Sequence, residues 1–279
     1  MQSVSYGSGG FRGKEYTDTV SFGSSLTISG QSIGVATQSE GFDGIGVDGI
    51  LGLGPKDLTQ GTISNTTVVP TVIDNLYSQG NIHSAVLGIY FTPVSASNVG
   101  ELTFGGYDSS VITSEMKYAS ITKTFPASTF WGIDQSVSYG GQTILSNSAG
   151  IVDTGTTLML IATGTVVLLL LARIRCSLAD ILDAFQAYQD ATGGVLDQTT
   201  GLLSITESQY DNLKTLSFHI GGSTYDLTPN AQIWPRSLNS AIGGNSDGIY
   251  LIVSDIGTSS GSGMDFINGY TFLYAVQLN

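Results

Sequence analysis

The residues able to do chemistry in this sequence are few and widely spaced. Asp153 stands in Ile151-Val-Asp-Thr-Gly-Thr-Thr-Leu158, with two apolar residues before it and Thr154, Gly155 and Thr156 behind it. Taken alone, such an aspartate begins a turn after a strand and needs no chemistry. Tyr6, in Tyr-Gly-Ser-Gly at 6–9, reads alone as a strand aromatic. Gly44-Ile-Gly-Val-Asp-Gly49 fits the nucleotide-cradling pattern G-x-G-x-x-G, but it runs into Ile-Leu-Gly-Leu-Gly-Pro, which does not open a helix onto a phosphate. His83 and His219 are isolated and Cys176 is the only cysteine, so neither zinc-ligand spacing nor an internal disulfide is present. Asn65-Thr-Thr is a glycosylation sequon that matters only in a secreted protein.

The elements that must hold these residues are strands. The 279 residues are 41% hydrophobic and only 11% charged, with 37 glycines between short β-branched runs, which points to an all-β protein. Strands are expected over 15–22, 26–28, 84–91, 100–104 and 130–139, with a Gly140-Gly141 turn leading into 142–145. The glycine-dense run 42–54 reads as strands whose backbones approach closely. Val72, Ile73, Leu76 and Tyr77 have helical spacing with Gly80 as C-cap, and 183–191 reads as a short amphipathic helix capped by Asp183. From Leu202 onward strands and turns are expected to the end.

Charge narrows the partners. A net charge of −13 disfavours nucleic-acid phosphates. With every carboxylate protonated, only nine Lys and Arg and two His stay charged, which limits self-repulsion in acid. The apolar run Val166–Ala172 is too short to span a bilayer and is followed by Arg173 and Arg175, so no membrane segment is expected. Met1 leads straight into Gln-Ser-Val-Ser, so no signal peptide is visible.

Four motifs stand in a fixed order: Tyr-Gly-Ser-Gly at 6–9, Asp-Gly-Ile-Leu-Gly-Leu-Gly at 48–54, Phe-Gly-Gly-Tyr-Asp at 104–108, and Ile151–Leu158. Together they resemble the pepsin-like aspartic proteases, and more closely the acid proteases of basidiomycete fungi. The resemblance implies a bilobal fold in which each lobe offers one Asp-Thr-Gly loop and two carboxylates share a proton across a water. One carboxylate is then base towards the water and the other acid towards the peptide carbonyl. On this matching Asp153 is the second-lobe catalytic aspartate. Thr154 braces the two loops, Gly155 permits the tight turn, and Thr156 bonds the outer carboxylate oxygen. Tyr6 corresponds to the tyrosine of the flap that closes over substrate. Gly7 and Ser8 correspond to flap positions that bond the peptide, and Ile50 to a residue lining the pocket before the cleaved bond; plain core is the alternative reading of that isoleucine, and the two are compatible. The resemblance further implies a peptide or protein substrate, no metal or organic cofactor, a monomer, and an extracellular or vacuolar acidic compartment.

The sequence also departs from that family. It contains a single Asp-Thr-Gly and no Asp-Ser-Gly, so the expectation is an incomplete first lobe over 1–110, including the flap, and a C-terminally shortened second lobe over 111–279. Gly164 to Leu182 interrupts the pattern, because removing it joins Leu-Ile-Ala-Thr163 smoothly to Asp183-Ala-Phe-Gln. An in-frame retained intron explains it, and an amphipathic helix that docks on a partner is the rival. Phe266-Ile-Asn-Gly-Tyr-Thr-Phe-Leu273 resembles the motif that crosses behind the second catalytic loop, with Asn268 where many relatives carry an apolar residue. The expected function is aspartic endopeptidase, as a fragment inactive by itself. The alternative is a non-catalytic peptide-binding pseudo-protease.

Overall fold

A computed structural model describes residues 2–7, 9–23, 25–42, 46–92, 100–163 and 184–277. Ser8, Asp183, Cys176 and the whole of 164–182 lie outside the described residues. The chain divides into two compact units, Met1–Ser114 and Glu115–Asn279.

The first unit is built on an antiparallel meander of β1 (Gln2–Tyr6), β2 (Gly9–Phe22) and β3 (Leu26–Glu40). Tyr6 pairs with Gly9, and Gly7 follows Tyr6 at the end of β1. The helix α1 (Val72–Ser78) follows its apolar spacing and starts at a capping box: the Thr71 hydroxyl accepts from the Asp74 N–H while the Asp74 carboxylate accepts from the Thr71 N–H. It lays Val72 and Leu76 on Ile28 and Ile82, a small core flanked by Phe22 and Phe104. The pair β4 (Leu87–Tyr90) and β5 (Glu101–Phe104) completes the unit.

The run 46–54, expected as closely packed strands, is irregular and mostly exposed. A Cβ added at Gly46, Gly49 or Gly52 would meet nothing within 4 Å. Those glycines therefore serve loop geometry rather than close packing.

The second unit is organised by one seven-stranded sheet. In chain order its elements are β6 (Gly132–Tyr139), β7 (Gln142–Val152), β8 (Met159–Thr163), α2 (Ala184–Thr192), β9 (Val195–Leu196), β10 (Leu203–Ile205), α3 (Glu207–Tyr210), β11 (Leu216–Ile220), β12 (Ser223–Leu227), β13 (Ile249–Tyr250), β14 (Val253–Ser259), β15 (Phe266–Asn268) and α4 (Tyr270–Gln277). The sheet order is β12-β11-β6-β7-β15-β8-β14. Gly140 and Gly141 both take positive φ, 55° and 83°, in the two-residue turn that returns β7 along β6. The core gathers Leu145, Met159, Ile161, Phe218, Leu251 and Phe266, and α2 docks Tyr188 into it, fully buried, with its hydroxyl donating to Gln232 Oε1 at 3.0 Å. The end of the chain differs from the expected strands: Tyr270–Gln277 is helical because Phe272 and Ala275, three apart, share a face against this core.

Candidate active site

The Asp-Thr-Gly loop is the crossing from β7 to β8, and the unit that carries it holds it from several sides. At its entry the Val152 N–H donates to the Trp131 carbonyl at 3.0 Å, and the Asp153 N–H donates to the Asn268 carbonyl at 3.1 Å. At its exit the Tyr270 N–H donates to the Thr156 carbonyl at 2.7 Å and the Thr271 N–H to the Thr157 carbonyl at 3.0 Å. The Met159 N–H reaches the Ile252 carbonyl at 3.1 Å and starts β8. The short strand β15, wedged between β7 and β8, thus continues into a backbone clamp over the loop: parallel to β7 through Ile267 and Asn268, antiparallel to β8 through Phe266, Ile267 and Asn268.

Within the loop the half-buried Asp153 carboxylate is oriented through both oxygens. The Gly155 N–H donates to Oδ1 at 2.9 Å and the Thr156 hydroxyl donates to Oδ2 at 2.7 Å, while the Thr156 N–H closes the turn on the Asp153 carbonyl at 3.3 Å. Such donors fix the plane of the carboxylate. A side chain at Gly155 would place its Cβ 3.2 Å from Oδ1, crowding the oxygen that the backbone engages. Thr154 and Gly155 are exposed at the crest. Asp153, Thr154, Gly155 and Thr156 are therefore brought together in one loop presenting a single oriented carboxylate.

The remaining sequence candidates belong to the first unit. Tyr6, 40% exposed, stands at the end of β1 and packs edge-on against Phe42, ring centroids 5.5 Å apart. Partial burial raises its phenol above the ordinary value. Gly7 follows it with nothing within 4 Å of an added Cβ, and Ser8 lies outside the described residues. Ile50 is 55% exposed, so within this unit it is not a core residue.

Two further residues take part in building the loop: Gly269, which lies in the 266–273 motif expected behind it but was not picked out individually, and Gln135, which was not singled out. At Gly269 an added Cβ would lie 2.2 Å from the Leu158 carbonyl oxygen and 2.4 Å from that of Thr156. Only glycine lets β15 pass so close behind the loop. The 266–273 motif was the signal that carried it. Gln135, on β6, is fully buried and bonded to the Asn268 side chain, and no local pattern marks it. His83 lies in the first unit, whereas His219 Nε2 and Nδ1 engage the Ser138 and Thr224 hydroxyls at 3.0 Å each. Among the described residues, no three His, Cys, Asp or Glu side chains are grouped to hold a metal, and no helix is long and apolar enough to cross a membrane.

Comparison with known proteins places these features. Residues 1–272 match the model of the family described as eukaryotic aspartyl protease. The chain is 56% identical over 276 residues to polyporopepsin of Irpex lacteus, covering 97% of this chain and 75% of that protein. It is 33% identical over 252 residues to rhizopuspepsin-1 of Rhizopus niveus, covering 88% of this chain and 56% of the relative. The crystal structure of the aspartic proteinase from Irpex lacteus superposes with a TM-score of 0.87 at 55% identity, over 98% of this chain and 75% of that one. The mostly β architecture is therefore that of the pepsin-like enzymes.

Proposed function

Since the chain belongs to the eukaryotic aspartyl protease family, a family of aspartic endopeptidases, we propose that Asp153 is one of the two carboxylates of a peptide-hydrolysing site. The observation that carries this reading is the Asp153 carboxylate itself, held by the Gly155 N–H and the Thr156 hydroxyl in a loop braced from behind. A carboxylate so oriented, facing a second one, shares a proton with it. One of the pair takes a proton from the attacking water while the other donates its proton to the peptide carbonyl oxygen. The chain holds one Asp-Thr-Gly, so these 279 residues supply one such loop. The chain by itself is accordingly a non-hydrolysing half-site, and a second carboxylate loop completes it.

Substrate binding is assigned to Tyr6, Gly7, Ser8 and Ile50, and loop bracing to Thr154 and Thr156. The substrate is an extended peptide with hydrophobic side chains. The working compartment is acidic, extracellular or vacuolar, in keeping with the scarcity of basic side chains.

The test is hydrolysis of an extended hydrophobic peptide at acid pH. The chain is assayed alone, then mixed with the polyporopepsin segment that carries the other Asp-Thr-Gly loop. The expected result is no turnover alone, turnover on mixing, and a loss of about 10²–10⁴-fold in the mixture on Asp153→Asn. Asp153-dependent turnover by the chain alone refutes the half-site reading. Turnover in the mixture that ignores Asp153→Asn refutes its catalytic assignment.

A further inference from the structure

We propose that the buried amide pair Gln135–Asn268 is a positioning element for Asp153, fixing β15 against β6 so that the Asn268 carbonyl meets the Asp153 N–H. The purpose of this positioning rests on the peptidase reading of Asp153, although the geometry stands without it. Gln135 is 0% exposed and Asn268 is 1% exposed. Their side chains bond reciprocally: Asn268 Nδ2 donates to Gln135 Oε1 at 2.8 Å, and Gln135 Nε2 donates to Asn268 Oδ1 at 3.2 Å. The two residues stand on strands that β7 separates in the sheet. The pair therefore ties β15 to β6 independently of the backbone ladder.

That tie matters because β15 is short, although it is paired on both sides. It is three residues long, and its ladder is confined to Ile267 and Asn268 on the β7 side and to Phe266, Ile267 and Asn268 on the β8 side. The backbone of Asn268 carries the carbonyl that receives the Asp153 N–H, and Gly269, Tyr270 and Thr271 follow directly as the clamp over Thr156 and Thr157. A slip of β15 would carry every one of these contacts with it. Two apolar side chains would fill the same space, but dispersion contacts are tolerant in direction, whereas a reciprocal amide pair is satisfied in a narrow range of placements. A buried primary amide is costly unless paired, so each member also requires the other.

The two roles, filling and positioning, separate experimentally. Four variants are compared: Gln135→Leu, Asn268→Leu, the double Leu variant, and the exchange Gln135→Asn with Asn268→Gln. The readouts are the thermal midpoint and the hydrogen-exchange rates of the Asp153 amide and of the Phe218 amide in the same sheet. Each single Leu variant strands one buried amide and is expected to lower the midpoint by about 5 °C. The double Leu variant is expected to recover most of the midpoint, yet to exchange the Asp153 amide about tenfold faster with Phe218 unchanged. The exchange variant keeps both amides and is expected to keep the Asp153 amide slow. An Asp153 amide as protected in the double Leu variant as in the parent overturns the proposal. If that variant does not fold, the exchange variant decides: a parent-like midpoint with a fast Asp153 amide also overturns it. No turnover enters these readouts, so a failure of the peptidase reading is seen separately, in the hydrolysis assay.

Discussion

Gly269→Ala is the substitution whose effect follows most directly from the geometry. The new Cβ would lie 2.2 Å from the Leu158 carbonyl oxygen and 2.4 Å from the Thr156 carbonyl oxygen, where real Cβ atoms do not come within 3.0 Å. Both obstacles are backbone, so no side chain can swing aside, and the clamp must open by roughly 1 Å in a close-packed interior. The bonds that span this gap are Tyr270 N–H to the Thr156 carbonyl and Thr271 N–H to the Thr157 carbonyl, at 2.7 and 3.0 Å. Losing or stretching both costs about 1 kcal/mol each. Overpacking adds about 1–3 kcal/mol. The expected loss is about 3–5 kcal/mol, which for a unit of this size lowers the thermal midpoint by about 6–20 °C. Calorimetry gives the midpoint, and amide exchange at Tyr270 and Thr271 reports the clamp itself. Gly106→Ala is the control, because its Cβ would meet nothing within 4 Å, and it is expected to change stability by less than about 0.5 kcal/mol. A Gly269→Ala protein with a parent-like midpoint and parent-like protection at Tyr270 refutes the reasoning, whatever its activity.

Thr156→Val removes the hydroxyl that donates to Asp153 Oδ2 at 2.7 Å; chemical denaturation is expected to show a loss of about 1–2 kcal/mol, and hydrolysis by the completed site a drop in kcat with little change in KM. Thr71→Ala dismantles the capping box of α1 and is expected to cost about 1 kcal/mol, with faster amide exchange at Asp74. For Tyr188, burial foremost and the neighbouring Tyr139 push the phenol well above its reference of 10.0. The folded state thus resists ionisation that the unfolded chain accepts near pH 10. Its contribution is intact below about pH 10 and is lost as pH climbs from there towards the folded value, at up to about 1.4 kcal/mol per pH unit. Tyr188→Phe is expected to flatten this alkaline limb while lowering neutral-pH stability by about 1–3 kcal/mol, since Gln232 Oε1 loses its phenolic donor; urea titrations at pH 8 and above check both.

What could be read from the sequence was whatever neighbouring residues decide. The helix α1 follows from Val72 and Leu76 at one face, and the β6–β7 turn from adjacent glycines that both accept positive φ. The loop at Asp153 was legible for the same reason: its donors, Gly155 and Thr156, are two and three residues away. Where partners are remote the reading stopped short. The strand β7 runs to Val152 through Ser146-Asn-Ser, residues of low strand preference, because β6 supplies the ladder, as at Gln135 opposite Ser148. Tyr270-Thr-Phe-Leu-Tyr-Ala has the residues of a strand, and its burial against the second unit's core makes it a helix. The glycines of 46–54 resembled those of close-packed strands, since a glycine's type does not reveal whether it admits a neighbour or only a turn. Gln135 was invisible because its partner lies 133 residues away.

This division between local and remote determinants bears on how a half-site can function. Among the described residues, the backbone contacts that clamp the Asp153 loop come from 115–279: Trp131, Asn268, Tyr270 and Thr271. The donors to the carboxylate lie within the loop itself. Among the described residues these bonds lie within 115–279, and on the half-site reading the orientation of the carboxylate is a property of that unit. Completing the site is then a matter of bringing a second carboxylate to a preorganised one, not of folding the loop around it. The ordering cost is met in advance, and the binding energy of the completing segment is left for placing the partner carboxylate. On this argument, mixing with the segment that carries the other loop restores turnover without altering amide protection at Thr156 and Tyr270. Protection at those amides that rises sharply on mixing would mean instead that the loop is assembled only by its partner.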